Sequence, residues 1–122
     1  MHFRLGITVR LADFGRAEPG GSWHLLISTV PANAADTYAE RMRRGDLVPA
    51  AVLDAVYHPW PTGLAAAAQQ TGAAIIGGFE LLLHQAARQV ELMTARTAPT
   101  AAMRRGGQAE LRRRAELGPG PG

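Results

Sequence analysis

Short apolar segments alternate with segments of helical period along this chain, and that alternation restricts it to few folds. Residues 23–30 (WHLLISTV), 51–57 (AVLDAVY) and 73–76 (AAII) have strand length and little charge. The continuous apolarity of residues 23–30 predicts a strand buried on both faces, as in a parallel sheet. A fourth candidate, residues 7–11 (ITVRL), alternates apolar and polar side chains. Gly, Pro and Ser cluster in residues 15–22 and predict a loop. Pro31 is expected to end the second strand.

Helical segments fill the intervals. Asn33 is placed to cap a helix over residues 34–44, whose early Asp36 and Glu40 and late Arg41, Arg43 and Arg44 suit the helix dipole. Gly45 follows as a natural stop. Residues 58–61 (HPWP) must be extended or turned, because each proline restricts the residue before it. Thr62 then caps a helix over residues 63–71 that ends at Gly72. Gly77 and Gly78 break the last strand. A long helix follows over residues 79–96, with Phe79, Leu82, Leu83, Ala86, Val90 and Met93 on one stripe. Pro99 opens a final helix over residues 100–117, expected to be interrupted at Gly106 and Gly107. Residues 118–122 (GPGPG) read as a disordered tail. Strands alternating with helices predict an α/β domain with a mainly parallel sheet.

Composition narrows the chemistry. The chain has 122 residues and no cysteine, which excludes disulfides, thiolate metal sites and a Cys nucleophile. All 13 basic residues are arginine, so no Schiff base, lysine base or P-loop lysine can form. The 23 alanines point, with the arginines, to a GC-rich coding bias rather than a selected surface. The absence of a signal-like N-terminus or a spanning apolar run predicts a soluble, cytoplasmic protein with no membrane partner. Arg112, Arg113 and Arg114 are consecutive and splay around a helix, so no nucleic-acid stripe is expected.

Ligands of open α/β sheets bind at the carboxyl ends of the strands. Those ends are Ser28, Thr29 and Val30 in one segment, Tyr57 to Trp60 in another, and Gly77 with Gly78 in the third. With the start of the long helix they are expected to converge on one crevice. Gln85 lies on a second apolar column of that helix, where a buried amide needs either an intramolecular partner or a ligand. His2, His24, His58 and His84 show no paired ligand spacing, so no metal site is expected. No nucleophile elbow, zinc helix, P-loop or dinucleotide glycine fingerprint is present.

Four segments resemble those of one family. Asp54-Ala55-Val56-Tyr57-His58-Pro59-Trp60-Pro61-Thr62 is similar to the D-x-x-Y-x-P-x-x-T segment of shikimate dehydrogenases. Gly78 to Ala87, followed by Val90-Glu91-Leu92-Met93-Thr94, resembles their G-x-x-M-L-x-x-Q-A-A helix and its continuation. Ser28-Thr29-Val30-Pro31-Ala32 resembles the S-T-V-P-A strand end of actinobacterial members, and residues 99–103 the family's P-x-x-x-M helix. The resemblance covers residues 5–105.

It implies part of a Rossmann-like NADP-binding domain over residues 5–76 and, over 77–117, helices that pack toward a substrate domain. It implies NADP as cofactor, with Ser28, Thr29, Val30, Ala55 and Gly78 as cofactor contacts. It implies shikimate as small-molecule substrate, with Tyr57 and Gln85 as its contacts. The family's catalytic Lys/Asp pair has no counterpart here, nor has its glycine-rich pyrophosphate loop or its basic 2′-phosphate cluster. The expected role is therefore the C-terminal part of a dehydrogenase, inactive alone. The alternative is a non-catalytic binding module built on half a sheet, self-associating through an exposed sheet edge. Gly63 stands where the family has proline, and Leu81, Ala95 and Gly77 are further departures.

Overall fold

The computed structural model describes residues 6–14 and 21–118. Its elements run β1 (Gly21–Ser28), α1 (Asp36–Arg43), β2 (Leu47–Asp54), α2 (Gly63–Thr71), β3 (Ala74–Gly77), α3 (Gly78–Thr94) and α4 (Thr100–Leu117). The strands form a parallel sheet in the order β1-β2-β3. The predicted α/β class and parallel sheet are observed.

The core lies between the sheet and the pair α1 and α2. Ala39 and Met42 of α1 meet Leu64, Ala67 and Ala68 of α2 over Val52, with Leu26 and Ile75 packed beside them. Alanines on α2 let its backbone lie close to the sheet, which is why so small an element closes the core.

Helix ends follow the backbone chemistry of glycine. Gly45 takes φ +79°. Its N–H donates to Met42 and that of Asp46 to Arg41, at 3.0 and 2.9 Å. Gly72, also at φ +79°, repeats the pattern, with Ala73 N–H donating to the Ala68 carbonyl. These paired bonds satisfy carbonyls that a helix end otherwise leaves orphaned. The predicted Thr62 cap is formed: its Oγ1 accepts from Ala65 N–H at 3.0 Å.

Several expectations are corrected. Residues 7–11 are not a sheet strand; within them only Thr8 makes an isolated bridge. Gly21 and Ser22 belong to β1, paired with Leu47 and Val48, rather than to a loop. β1 ends at Ser28, before Pro31, and is a half-exposed edge strand, since helices cover one face of the sheet. β2 begins at Leu47 rather than at residue 51. It includes Pro49, tolerated there because β3 begins opposite Ala51 and leaves Pro49 with a strand neighbour on one side. Asn33 does not cap α1; residues 31–36 first make a turn, in which Asn33 offers its backbone carbonyl to Asp36 N–H.

α4 is continuous through Gly106 and Gly107. A Cβ on Gly107 would stand 2.7 Å from Cε2 of Phe79, so this glycine admits the ring against α4. The predicted α3 stripe is only partly buried: Leu83 is covered, whereas Leu82 and Met93 are exposed. The tail expected to be disordered lies, from residue 119 onward, outside the described residues. Among the described residues no helix is long and apolar enough to cross a membrane.

Candidate functional site

Parallel pairing brings the three strand ends side by side. Ser28 is opposite Asp54, and Asp54 is opposite Gly77. The chain then leaves each strand on the same edge of the sheet. Ala55 N–H donates to the Ser28 carbonyl at 2.9 Å, carrying the pairing one residue past β2.

Asp54 organises the connection that follows, a role that sequence reading did not assign. Its carboxylate is buried, with Oδ2 accepting from Thr62 Oγ1 at 2.6 Å and Oδ1 from Val56 N–H at 3.2 Å. One residue thereby anchors both the turn toward Tyr57 and the start of α2. The signal available was an acid at a strand end, eight residues before a capping threonine. The connection contains two cis peptide bonds, His58–Pro59 and Trp60–Pro61, and the Trp60 ring lies over Gly77.

Gly78 meets this connection at very short range. A Cβ there would fall 2.2 Å from the Ala55 carbonyl oxygen, so no other residue allows α3 to start where it does. Its N–H donates to the Val56 carbonyl at 3.3 Å. Ala55 and Gly78, both named as cofactor contacts, are thus in backbone contact with each other.

Ser28, Thr29 and Val30 line one cavity of about 330 Å³, closed by Phe14, Tyr38 and Leu64 among others. The Phe14 and Tyr38 rings are 5.5 Å apart in a tilted arrangement. Ser28 Oγ is buried with no hydrogen-bond partner. A hydroxyl buried without a partner is costly, and a ligand oxygen or nitrogen in the cavity would satisfy it.

Tyr57 and Gln85 do not line that cavity. Tyr57 lies beyond the end of β2 and is exposed, not a core aromatic. Gln85 is exposed on α3, two turns after Gly78, so burial does not force a partner on it. α4 reaches this region. Arg104 hydrogen-bonds Glu80 at the start of α3, and that guanidinium holds the Glu80 carboxyl below its ordinary value. Farther along, Glu110 pairs with Arg113 and Arg114, which lower its pKa to about 2, and Arg114 comes within electrostatic reach of Tyr57. Among the described residues no group of three or more His, Asp or Glu is placed to hold a metal ion.

Comparison with known proteins points to one family. Residues 78–105 match the model of the Shikimate 5'-dehydrogenase C-terminal domain. The NADP(+) shikimate dehydrogenase of Chlorobium phaeobacteroides is 52% identical over 48 residues, covering 39% of this chain and 16% of that protein. That of Dehalococcoides mccartyi is 42% identical over 59 residues, covering 48% and 20%. The crystal structure of Mycobacterium tuberculosis shikimate dehydrogenase superposes with a TM-score of 0.61 at 43% identity, covering 70% of this chain and 32% of that one. The Mycobacterium fortuitum enzyme gives 0.58 at 48% identity, covering 66% and 29%. The matched region spans a fifth or less of the length of the curated relatives.

Proposed function

We propose, on the premise that this chain's sequence and backbone correspond to the C-terminal region of shikimate dehydrogenases, that it supplies part of the site for NADP-dependent reduction of 3-dehydroshikimate to shikimate. The observation that carries this reading is the unpartnered Ser28 hydroxyl of a residue that lines a cavity at the strand ends. Residues 5–76 act as part of the nucleotide-binding domain and residues 77–117 as the helices that close toward the substrate.

The residues present fit one portion of NADP. Ser28, its Oγ buried and unpartnered, lines the cavity with Thr29 and Val30, and Ala55 and Gly78 are in backbone contact with each other at the strand ends. NADPH, when bound, supplies the hydride. Tyr57 and Gln85 present a hydroxyl and an amide with which to hold and orient shikimate hydroxyls. The chain has no lysine, so the lysine of the family's Lys/Asp proton pair is not among its residues.

The purified chain is accordingly expected to form no NADPH from shikimate and NADP. Grafted in place of the matching region of the M. tuberculosis enzyme, it should restore activity. In that graft Gln85→Ala should raise the KM for shikimate at least tenfold and the KM for NADP by less than threefold, the loss of one polar contact. Tyr57→Phe should have the smaller effect. Equal effects of Gln85→Ala on both KM values would reject the assignment.

A further inference from the structure

α3 and α4 form an antiparallel hairpin. Ala98 N–H donates to the Glu91 carboxylate near the bend, Arg104 pairs with Glu80, and Gly107 meets the Phe79 ring. Phe79 is the second residue of α3, so α4 runs on past the N-terminus of its partner. Arg114 lies seven residues beyond Gly107, about 10 Å along the helix at ~1.5 Å per residue. α3 starts against the backbone of Ala55 and Val56. The overhang of α4 therefore reaches the connection that carries Tyr57, and Arg114 is within electrostatic reach of that phenol. The overhang also holds more positive charge than its acids balance. Glu110 accepts from both Nε and Nη2 of Arg113 but only from Nε of Arg114, at 2.8 Å. That bond orients the Arg114 guanidinium and leaves Nη1 and Nη2 without a hydrogen bond or ion pair among the described residues. Two adjacent guanidinium N–H groups match the two oxygens of a carboxylate.

We propose that Arg114, set beside Tyr57 by the overhang of α4, binds the carboxylate of the substrate and so selects an anionic ring over a neutral one. This rests on the function proposed above. Shikimate has one charged group, its carboxylate, and the contacts assigned to it here, Tyr57 and Gln85, are both uncharged at neutral pH. A carboxylate taken out of water needs a partner of opposite charge or a full set of hydrogen bonds. NADP is anionic as well, through its phosphates. Arg114 is not among the residues lining the cavity of Ser28, Thr29 and Val30, which favours the substrate as its ligand.

The test uses the graft into the M. tuberculosis enzyme, with α4 carried through Leu117, and compares shikimate with its methyl ester, which lacks the charge. Calorimetry gives the Kd of each ligand, and steady-state kinetics gives the KM values. Arg114→Gln should raise the Kd and KM for shikimate at least about tenfold, leave the Kd for the ester within about twofold, and leave the KM for NADP unchanged. Arg114→Lys keeps the charge and should recover most of the loss. The side chain is half exposed, so both variants should keep the circular dichroism of the parent. An unchanged Kd for shikimate, equal losses for acid and ester, or a loss confined to NADP would each overturn the proposal. A graft that binds shikimate with this dependence on Arg114 but forms no NADPH would reject the proposed function and leave the carboxylate contact standing. A graft that binds no shikimate would overturn both.

Discussion

The Thr62 hydroxyl donates a 2.6 Å hydrogen bond to the buried carboxylate of Asp54 while accepting one from Ala65 N–H, so a single side chain ties the end of β2 to the first turn of α2. The segment between them carries Tyr57, and its geometry depends on that tie. Thr62→Val should remove the cap and leave a buried carboxylate oxygen without its donor. A loss of about 2–4 kcal/mol is expected. Thr62→Ser keeps both bonds and should stay within about 1 kcal/mol of the parent. Urea unfolding of the two variants checks this.

α3 ends at Ala95 in the left-handed region, φ +53°, with its N–H donating to the Glu91 carbonyl at 2.9 Å. An L side chain there costs roughly 1–2 kcal/mol. Ala95→Gly should therefore stabilise the chain by about 1 kcal/mol, read as a raised urea midpoint at constant slope.

Gly106 and Gly107 are adjacent but not equivalent. Nothing lies within 4 Å of a Cβ on Gly106, so Gly106→Ala should stabilise α4 by up to about 1 kcal/mol. On Gly107 the Cβ meets the Phe79 ring, and Gly107→Ala should lose that gain or reverse it. Thermal unfolding of the two single variants would separate them, and identical shifts would count against the Phe79 contact.

Acid should loosen the α3–α4 pair. Glu80 faces Arg104 and, at 3.7 Å, His84, and its carboxyl lies below the ordinary value because of the Arg104 hydrogen bond. Glu110 is held at about 2 by Arg113 and Arg114. A folded pKa below the unfolded one means that the unfolded chain takes up protons first. The contribution is therefore complete above the ordinary value of 4.5 and is lost as pH falls through the folded value. Helicity measured by circular dichroism should decline between about pH 4.5 and 2. Glu80→Gln and Glu110→Gln should flatten that limb.

Local chemistry made much of this architecture legible. Thr62 with Gly72 delimited α2, and Gly45 marked the stop after α1, because caps and left-handed glycines act through neighbouring backbone atoms. The family segments around Tyr57 and Gln85 were readable for the same reason: they are contiguous. Burial was not. Residues 23–30 read as a strand hidden on both faces, yet Ile27 and Trp23 are half exposed, since what covers a strand comes from distant sequence. The helix expected to break at Gly106 and Gly107 runs on because Phe79, far back in the chain, fills the space.

The sequence alone determined the alternation of strands and helices from β1 to α4, the helix stops, the lack of lysine and the family resemblance, all properties of short windows or of composition. Only the tertiary structure decided that Ser28, Asp54 and Gly77 stand in one row, that Asp54 and Thr62 share a buried hydrogen bond, and that Ser28 Oγ is buried without a partner in a cavity-lining residue. It also decided which face of the sheet α1 and α2 pack on. These depend on strand register and on which surfaces meet, which are set by long-range packing.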